Sequence, residues 1–230
     1  YQAGNGFVFR GSDTDGFNEN LTYSDGTNSQ AILYDVNGNY VLDPTAFAAF
    51  GTEAVFLANT DSVSGTAVQD RALMITNGSD APELLLSVPI SSYILGSENI
   101  YAFSRSGDFH VVRPDLSSSL IYEADGSGPL IDYYFEFDDA LYFRGLASNQ
   151  NDFYRIDPDT ATLTKMPIAM DSGGDNVAFY YGGIADDQFF FWSNELGNHG
   201  MELYVSDGTS AGTQLVQDIN PGTGSSVNHN

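Results

Sequence analysis

The stretch "ELYVSDGTSAGTQLVQDINPGTGSS", Glu202 to Ser226, reads as a β-strand, a tight turn, a second strand and a second turn. Leu203, Tyr204 and Val205 are aromatic or branched residues suited to a pleated surface. Asp207-Gly208 supplies the positive φ angles that short hairpin loops require, so the turn signal has a mechanism behind it. This hairpin decides the fold, because the chain repeats it.

Five aromatic or β-branched runs resemble one another: Phe7 to Gly11, Ala54 to Ala58, Ile100 to Ser104, Leu141 to Gly145 and Phe189 to Ser193. Each is followed by a second run that ends in a turn, at Ser24-Asp25-Gly26, Thr76-Asn77-Gly78, Pro114-Asp115, Asp157-Pro158 and Ser206-Asp207-Gly208. A third run follows, for example Ala31 to Tyr34, Leu84 to Leu86 and Gln214 to Val216. Several short strands per unit, with units spaced in the forties of residues, indicate a propeller-type array rather than a helical solenoid. Helical periodicity is nearly absent, and the one stretch that suggests a helix, Pro44 to Phe50, is too short to hold one. The expected fold is all-β: a five-bladed β-propeller of antiparallel blades in one domain. Its blades lie near 6 to 38, 39 to 88, 89 to 131, 132 to 170 and 171 to 222. The first blade has almost nothing ahead of Phe7, so its innermost strand looks missing. Ser225 to Asn230, within a closing segment 223 to 230, is expected to run beside Phe7 to Arg10 and join the ends of the ring.

The copies "SDGT" at Ser24 to Thr27 and Ser206 to Thr209 carry a further likeness. The stretch from Glu202 resembles the repeat of the ELWxxDGT family, found in large exported bacterial proteins, with Tyr204 where the family has Trp. The resemblance implies β-propeller blades and no particular activity. Asp25, Gly26, Thr27, Asp207, Gly208 and Thr209 fall on turn positions, so a structural role explains them first.

The 230 residues carry 31 Asp and Glu against seven Lys and Arg, a net charge of -24. Nucleic acid and anionic membranes are repelled by such a surface. Divalent cations and saline surroundings suit it, which places the expected protein outside the cell. There is no Cys, so disulfides and thiolate metal sites are excluded. No apolar run approaches the ~18 residues of a membrane helix, and the chain reads as a mature piece of something longer, a monomeric domain of a larger chain.

For metal, Asp13-Thr14-Asp15-Gly16-Phe17-Asn18-Glu19 sets the oxygen side chains of Asp13, Asp15, Asn18 and Glu19 around a Gly turn, a pattern able to converge on Ca²⁺. Asp35 to Asp43 begins like a calcium loop, but Tyr40 stands where Gly is required and Ala46 where the bidentate acid belongs, so a turn between blades is the better reading. For catalysis, Asp138-Asp139 and Asp186-Asp187 are the visible acid pairs, and both sit where a turn precedes a strand. His110, His199 and His229 show no ligand or triad spacing. Trp192 lies in an aromatic strand and reads as packing rather than a sugar platform. No residue is assigned a catalytic role. The expectation is a non-catalytic extracellular binding or scaffolding module, calcium-stabilised, whose partner is a protein or glycan met through loops such as Asn59 to Asp70. The alternatives are a glycoside hydrolase or lyase with acids at the propeller channel, and a structural unit of a surface adhesin.

Overall fold

The computed structural model describes residues 1–12, 19–60, 71–122, 131, 133–145, 153–166, 179–195, 200–209 and 211–226. Among these residues every regular element is a strand and every ladder is antiparallel. The chain divides into two compact units, Tyr1–Glu123 and Ala124–Asn230.

The first unit holds three consecutive meanders. One comprises β1 (Gln2–Ala3), β2 (Gly6–Ser12), β3 (Glu19–Ser24) and β4 (Ser29–Ile32). The next comprises β5 (Leu42–Phe50), β6 (Glu53–Asn59), β7 (Arg71–Thr76) and the first half of β8 (Glu83–Leu95). The second half of β8 opens a third meander with β9 (Ile100–Ser104), β10 (Phe109–Val112) and β11 (Ser118–Tyr122). The long strand β8 pairs with β7 up to Ile90 and with β9 from there on. Pro89 lies at that changeover, where a residue without an N–H interrupts the ladder least. In the second unit, β12 (Tyr133–Phe137), β13 (Ala140–Arg144), β14 (Phe153–Asp157) and β15 (Thr162–Lys165) form one four-stranded sheet. β16 (Phe179–Ala185), β17 (Gln188–Glu195), β18 (Gly200–Ser206) and β19 (Gln214–Gln217) form another.

Side chains alternate across a strand, and here both faces of the middle strands are buried. Ala54, Phe56 and Ala58 of β6 pack with Val8 and Leu21 of the first meander. Val55 and Leu57, one residue out of phase, pack with Ile100, Ala102 and Val112 of the third. The meanders of the first unit, hydrogen-bonded through β3–β5 and β8 into one eleven-stranded sheet, therefore fold face to face, with β6 and β7 inside the stack. The second unit repeats the arrangement, with Phe135, Tyr142 and Phe153 of one sheet against Phe189, Phe191 and Tyr204 of the other. The fourth strands β4, β15 and β19 are mostly exposed, as outer strands of such sheets must be. The stretch Pro44 to Phe50 is strand, within β5.

Two expectations about ring closure need correction. The first meander does have an innermost strand: Gly4, at φ +56°, turns Gln2–Ala3 back so that Gln2 opposes Phe7 and Ala3 opposes Gly6. Tyr1 extends this pairing, exchanging backbone hydrogen bonds with Val8. The edge reserved for Ser225 to Asn230 is thus occupied by a local hairpin, whose contact costs less loop entropy than one from the far end of the chain. Ser225 and Ser226 instead bind Met201 on β18: the Met201 N–H donates to Ser225 Oγ (3.1 Å) and the Ser226 N–H to the Met201 carbonyl (2.9 Å). These two residues join β18 of their own unit, and 227–230 lie outside the described residues.

Candidate functional site

The turns that recur through the sequence share one construction. In each, an Asp or Asn Oδ1 accepts a backbone N–H two or three residues ahead, an Asx turn. Asp25 accepts from Thr27 and Asn28, both at 2.7 Å. Asn77 accepts from Ser79 and Asp80, both at 3.0 Å. Asp115 accepts from Ser117, Asp157 from Thr160 and Asp207 from Thr209, at 2.9, 3.0 and 2.9 Å. In three copies the preceding hydroxyl, on Ser24, Thr76 or Ser206, accepts the N–H of the following Gly. These bonds favour the ionised carboxylate. The N–H groups of Asn28 and Thr27 hold Asp25 below its usual range, and the Thr209 hydroxyl and N–H do the same for Asp207. Asp115 is lowered by the Ser117 hydroxyl and N–H, and Asp157 by the Thr160 N–H.

The glycines of this motif differ in what surrounds them. Gly26, Gly78 and Gly208 have φ of +88°, +92° and +86°. A Cβ at Gly26 would meet nothing within 4 Å, whereas one at Gly208 would overlap the Tyr142 hydroxyl and one at Gly78 would overlap the Tyr23 ring. Tyr142 and Tyr23 each belong to the preceding meander. The later turns therefore lock one meander onto the meander before it.

Beside the last turn, Asp138, Tyr142, Arg155, Lys165, Asp207 and Thr209 line a cleft of about 320 Å³. It gathers two of the chain's seven basic side chains. Arg155 Nη1 pairs with Asp157 Oδ2 at 3.5 Å, and burial pushes the Tyr142 hydroxyl above its ordinary range against the opposing pull of Arg155. The lining offers carboxylate acceptors as well as guanidinium, ammonium and hydroxyl donors. Such a mixture suits a small hydroxyl-bearing group; within it the Thr209 hydroxyl donates to Asp207 Oδ1 at 2.7 Å.

Of the residues expected to bind metal, Asp13, Asp15 and Asn18 lie outside the described residues. Glu19 opens β3 opposite Ser12 and forms an ion pair with Arg10 on the neighbouring strand. Among the described residues, no three acids, histidines or cysteines come together as a metal-binding group. Asp35 is buried, and its Oδ1 accepts from the Asn37 and Asn39 N–H groups, both at 2.9 Å, while the Asn39 amide reaches Oδ2 at 3.0 Å. Its lone pairs hold its own loop together. Asp138 and Asp139 have φ of 48° and 54°, and Asp186 54°, so these acids shape hairpin turns. His110 is half-buried with its Nε2 unpartnered, and burial holds its pKa down. Trp192 is half-buried on β17; His199, His229 and residues 61–70 of the Asn59 to Asp70 loop lie outside the described residues.

One buried acid escaped the sequence reading. Glu202 is fully buried, although it begins the quoted motif, and its only sequence signal is that an acid stands in a strand otherwise made of core residues.

What fold and site define is an all-β protein of stacked antiparallel meanders tied together by repeated Asx turns. No protein-family model matches it, and no curated protein matches it either. Solved structures do resemble it. The Dos1 propeller has a TM-score of 0.41 at 14% identity, covering 94% of this chain and 61% of that one. A prolyl endopeptidase has 0.45 at 12%, covering 92% and 33%. YCF48 from Cyanidioschyzon merolae has 0.38 at 11%, covering 92% and 71%. The chain spans a third of the length of the prolyl endopeptidase.

Proposed function

We propose that the chain is a five-bladed β-propeller, one blade per meander, that works outside the cell as a non-catalytic binding or scaffolding module. The observation that carries this reading is the fate of the acids. The carboxylates of Asp25, Asp115, Asp157 and Asp207 accept the N–H groups of their own turns, and Asp138, Asp139 and Asp186 hold left-handed turn conformations. Carboxylates that accept the N–H groups of their own turns in this way position loops. The ligand surface in this reading is the cleft of Tyr142, Arg155, Lys165, Asp207 and Thr209, and its partner is a glycan or the surface of another protein. The net charge of -24 fits saline surroundings and stabilisation by Ca²⁺ at the Asp13 to Glu19 loop.

A glycan array combined with a turnover screen on neutral and acidic polysaccharides tests the reading. Retention without product is the expected result, and Lys165→Ala should reduce it. Product formation that disappears in Asp139→Asn or Asp187→Asn would make the protein a glycosidase or lyase instead.

A further inference from the structure

The interior of the last sheet contains one acid that the turns do not account for. Glu202 has no solvent exposure. Its Oε2 accepts the Ile219 N–H at 3.2 Å, and its Oε1 meets no hydrogen-bond partner. Among the described residues no basic side chain pairs with it. A buried carboxylate with one N–H for company is poorly compensated, since removing such an ion from water costs several kcal/mol.

Its surroundings are a strap. The chain from Asp218 to Ser226 leaves the sheet at the end of β19 and returns to bind Met201, the neighbour of Glu202, through Ser225 and Ser226. Asn220 Nδ2 donates to the Ser225 carbonyl at 3.1 Å, closing the loop on itself. The approach is so close that a Cβ on Gly200 would overlap Gly224 and Ser225. Because Oε2 takes the Ile219 N–H, the Glu202 carboxyl group faces this strap; Leu203 opposes Gln217 in the ladder, so the next residue along the strap, Asp218, follows the chain past Glu202. The first meander supplies an internal comparison. Aligning its Ser24-Asp25-Gly26-Thr27 with Ser206 to Thr209 places Asn20 where Glu202 stands, and there the buried side chain is a neutral amide that needs no counter-charge.

We propose that Glu202 and Asp218 bind a calcium ion under the 218–226 strap. Hard carboxylate oxygens of this kind suit Ca²⁺ and its flexible coordination better than Mg²⁺, which keeps its own waters. The ion neutralises the buried charge and fastens the strap to β18. This site is independent of the Asp13 to Glu19 loop.

Calorimetric titration of CaCl₂ into the chelator-stripped full chain tests the proposal, alongside Glu202→Gln, Asp218→Asn and Asp15→Ala. The wild type should bind Ca²⁺ and melt higher with it. Glu202→Gln should lose one equivalent, or bind it at least about tenfold more weakly, while Asp15→Ala keeps that equivalent. Failure of the wild type to bind Ca²⁺, or undiminished binding by Glu202→Gln, overturns the proposal. Should Glu202→Gln not fold, Asp218→Asn is read by the same loss of one equivalent. Loss in Asp15→Ala alone assigns the ion to the other loop and refutes this one.

Discussion

Gly26, Gly78 and Gly208 form a built-in controlled experiment. Their φ angles agree within a few degrees, so Gly→Ala brings a similar left-handed strain to each, about 1–2 kcal/mol. A stiffer unfolded chain returns about 0.4–1 kcal/mol of that. At Gly26 the new methyl enters open space, and the net cost should be about 1 kcal/mol. At Gly78 the methyl meets the Tyr23 ring and the Ala3 carbonyl, and part of that barrier is backbone. At Gly208 it meets the tip of Tyr142, a side chain 1% exposed and stacked on Phe135 at 5.3 Å and Phe153 at 5.9 Å, so it has little room to swing away. Overpacking of this kind adds about 1–3 kcal/mol, which puts both substitutions at about 2–4 kcal/mol. Urea unfolding measures them. Gly26 and Gly78 lie in the same unit, so far-UV circular dichroism compares them directly, and the fluorescence of Trp192, the chain's only Trp, reports on Gly208. If Gly78→Ala costs no more than Gly26→Ala, the turns do not lock meander to meander and the argument from the tyrosines fails.

Other substitutions test the remaining links. Asp35→Ala strips the Asn37 and Asn39 N–H groups of their acceptor in a part-buried loop, and should cost about 2–4 kcal/mol by thermal melting, unchanged by chelator. Phe189→Ala removes the ring that touches Phe135, Phe137, Tyr142 and Phe191, and should cost about 3–5 kcal/mol, read at Trp192. Burial lowers the His110 pKa in the folded state, so the unfolded chain binds the extra proton first. Stability is therefore complete above the ordinary His value of 6.5 and falls as pH drops from there toward the lower folded value; His110→Gln should flatten that slope. The turn carboxylates act in a lower window. Their folded pKa values lie below 3.8, so their contribution holds above that value and disappears as acid protonates them.

Strand and turn were legible in the chain because both are local. A short apolar, β-branched run such as Leu73 to Thr76, ended by Asn77-Gly78, needs no distant partner to specify a hairpin. The repetition then implied several similar units with Asp25 and Asp207 on turn positions; the structure adds that in these turns the positive φ falls on Gly26 and Gly208 alone, while the two Asp side chains accept backbone N–H groups. Other features depend on what a residue meets across the fold. Nothing near Gly208 in sequence announces Tyr142, 66 positions earlier, and nothing near Gly26 announces open space. The partner of β2 was misread for the same reason: its edge is contested between a hairpin at Gln2 and a segment from the far end, and loop entropy together with Gly4 favours the nearer. The cleft is assembled from residues 138 to 209, and Glu202 becomes notable only when the strap covers it. Local chemistry thus determined that this chain forms repeated antiparallel hairpins. Packing between meanders decided which glycines are locked, and the strap that returns to β18 decided which carboxylate is buried, because those depend on contacts that sequence separation does not encode.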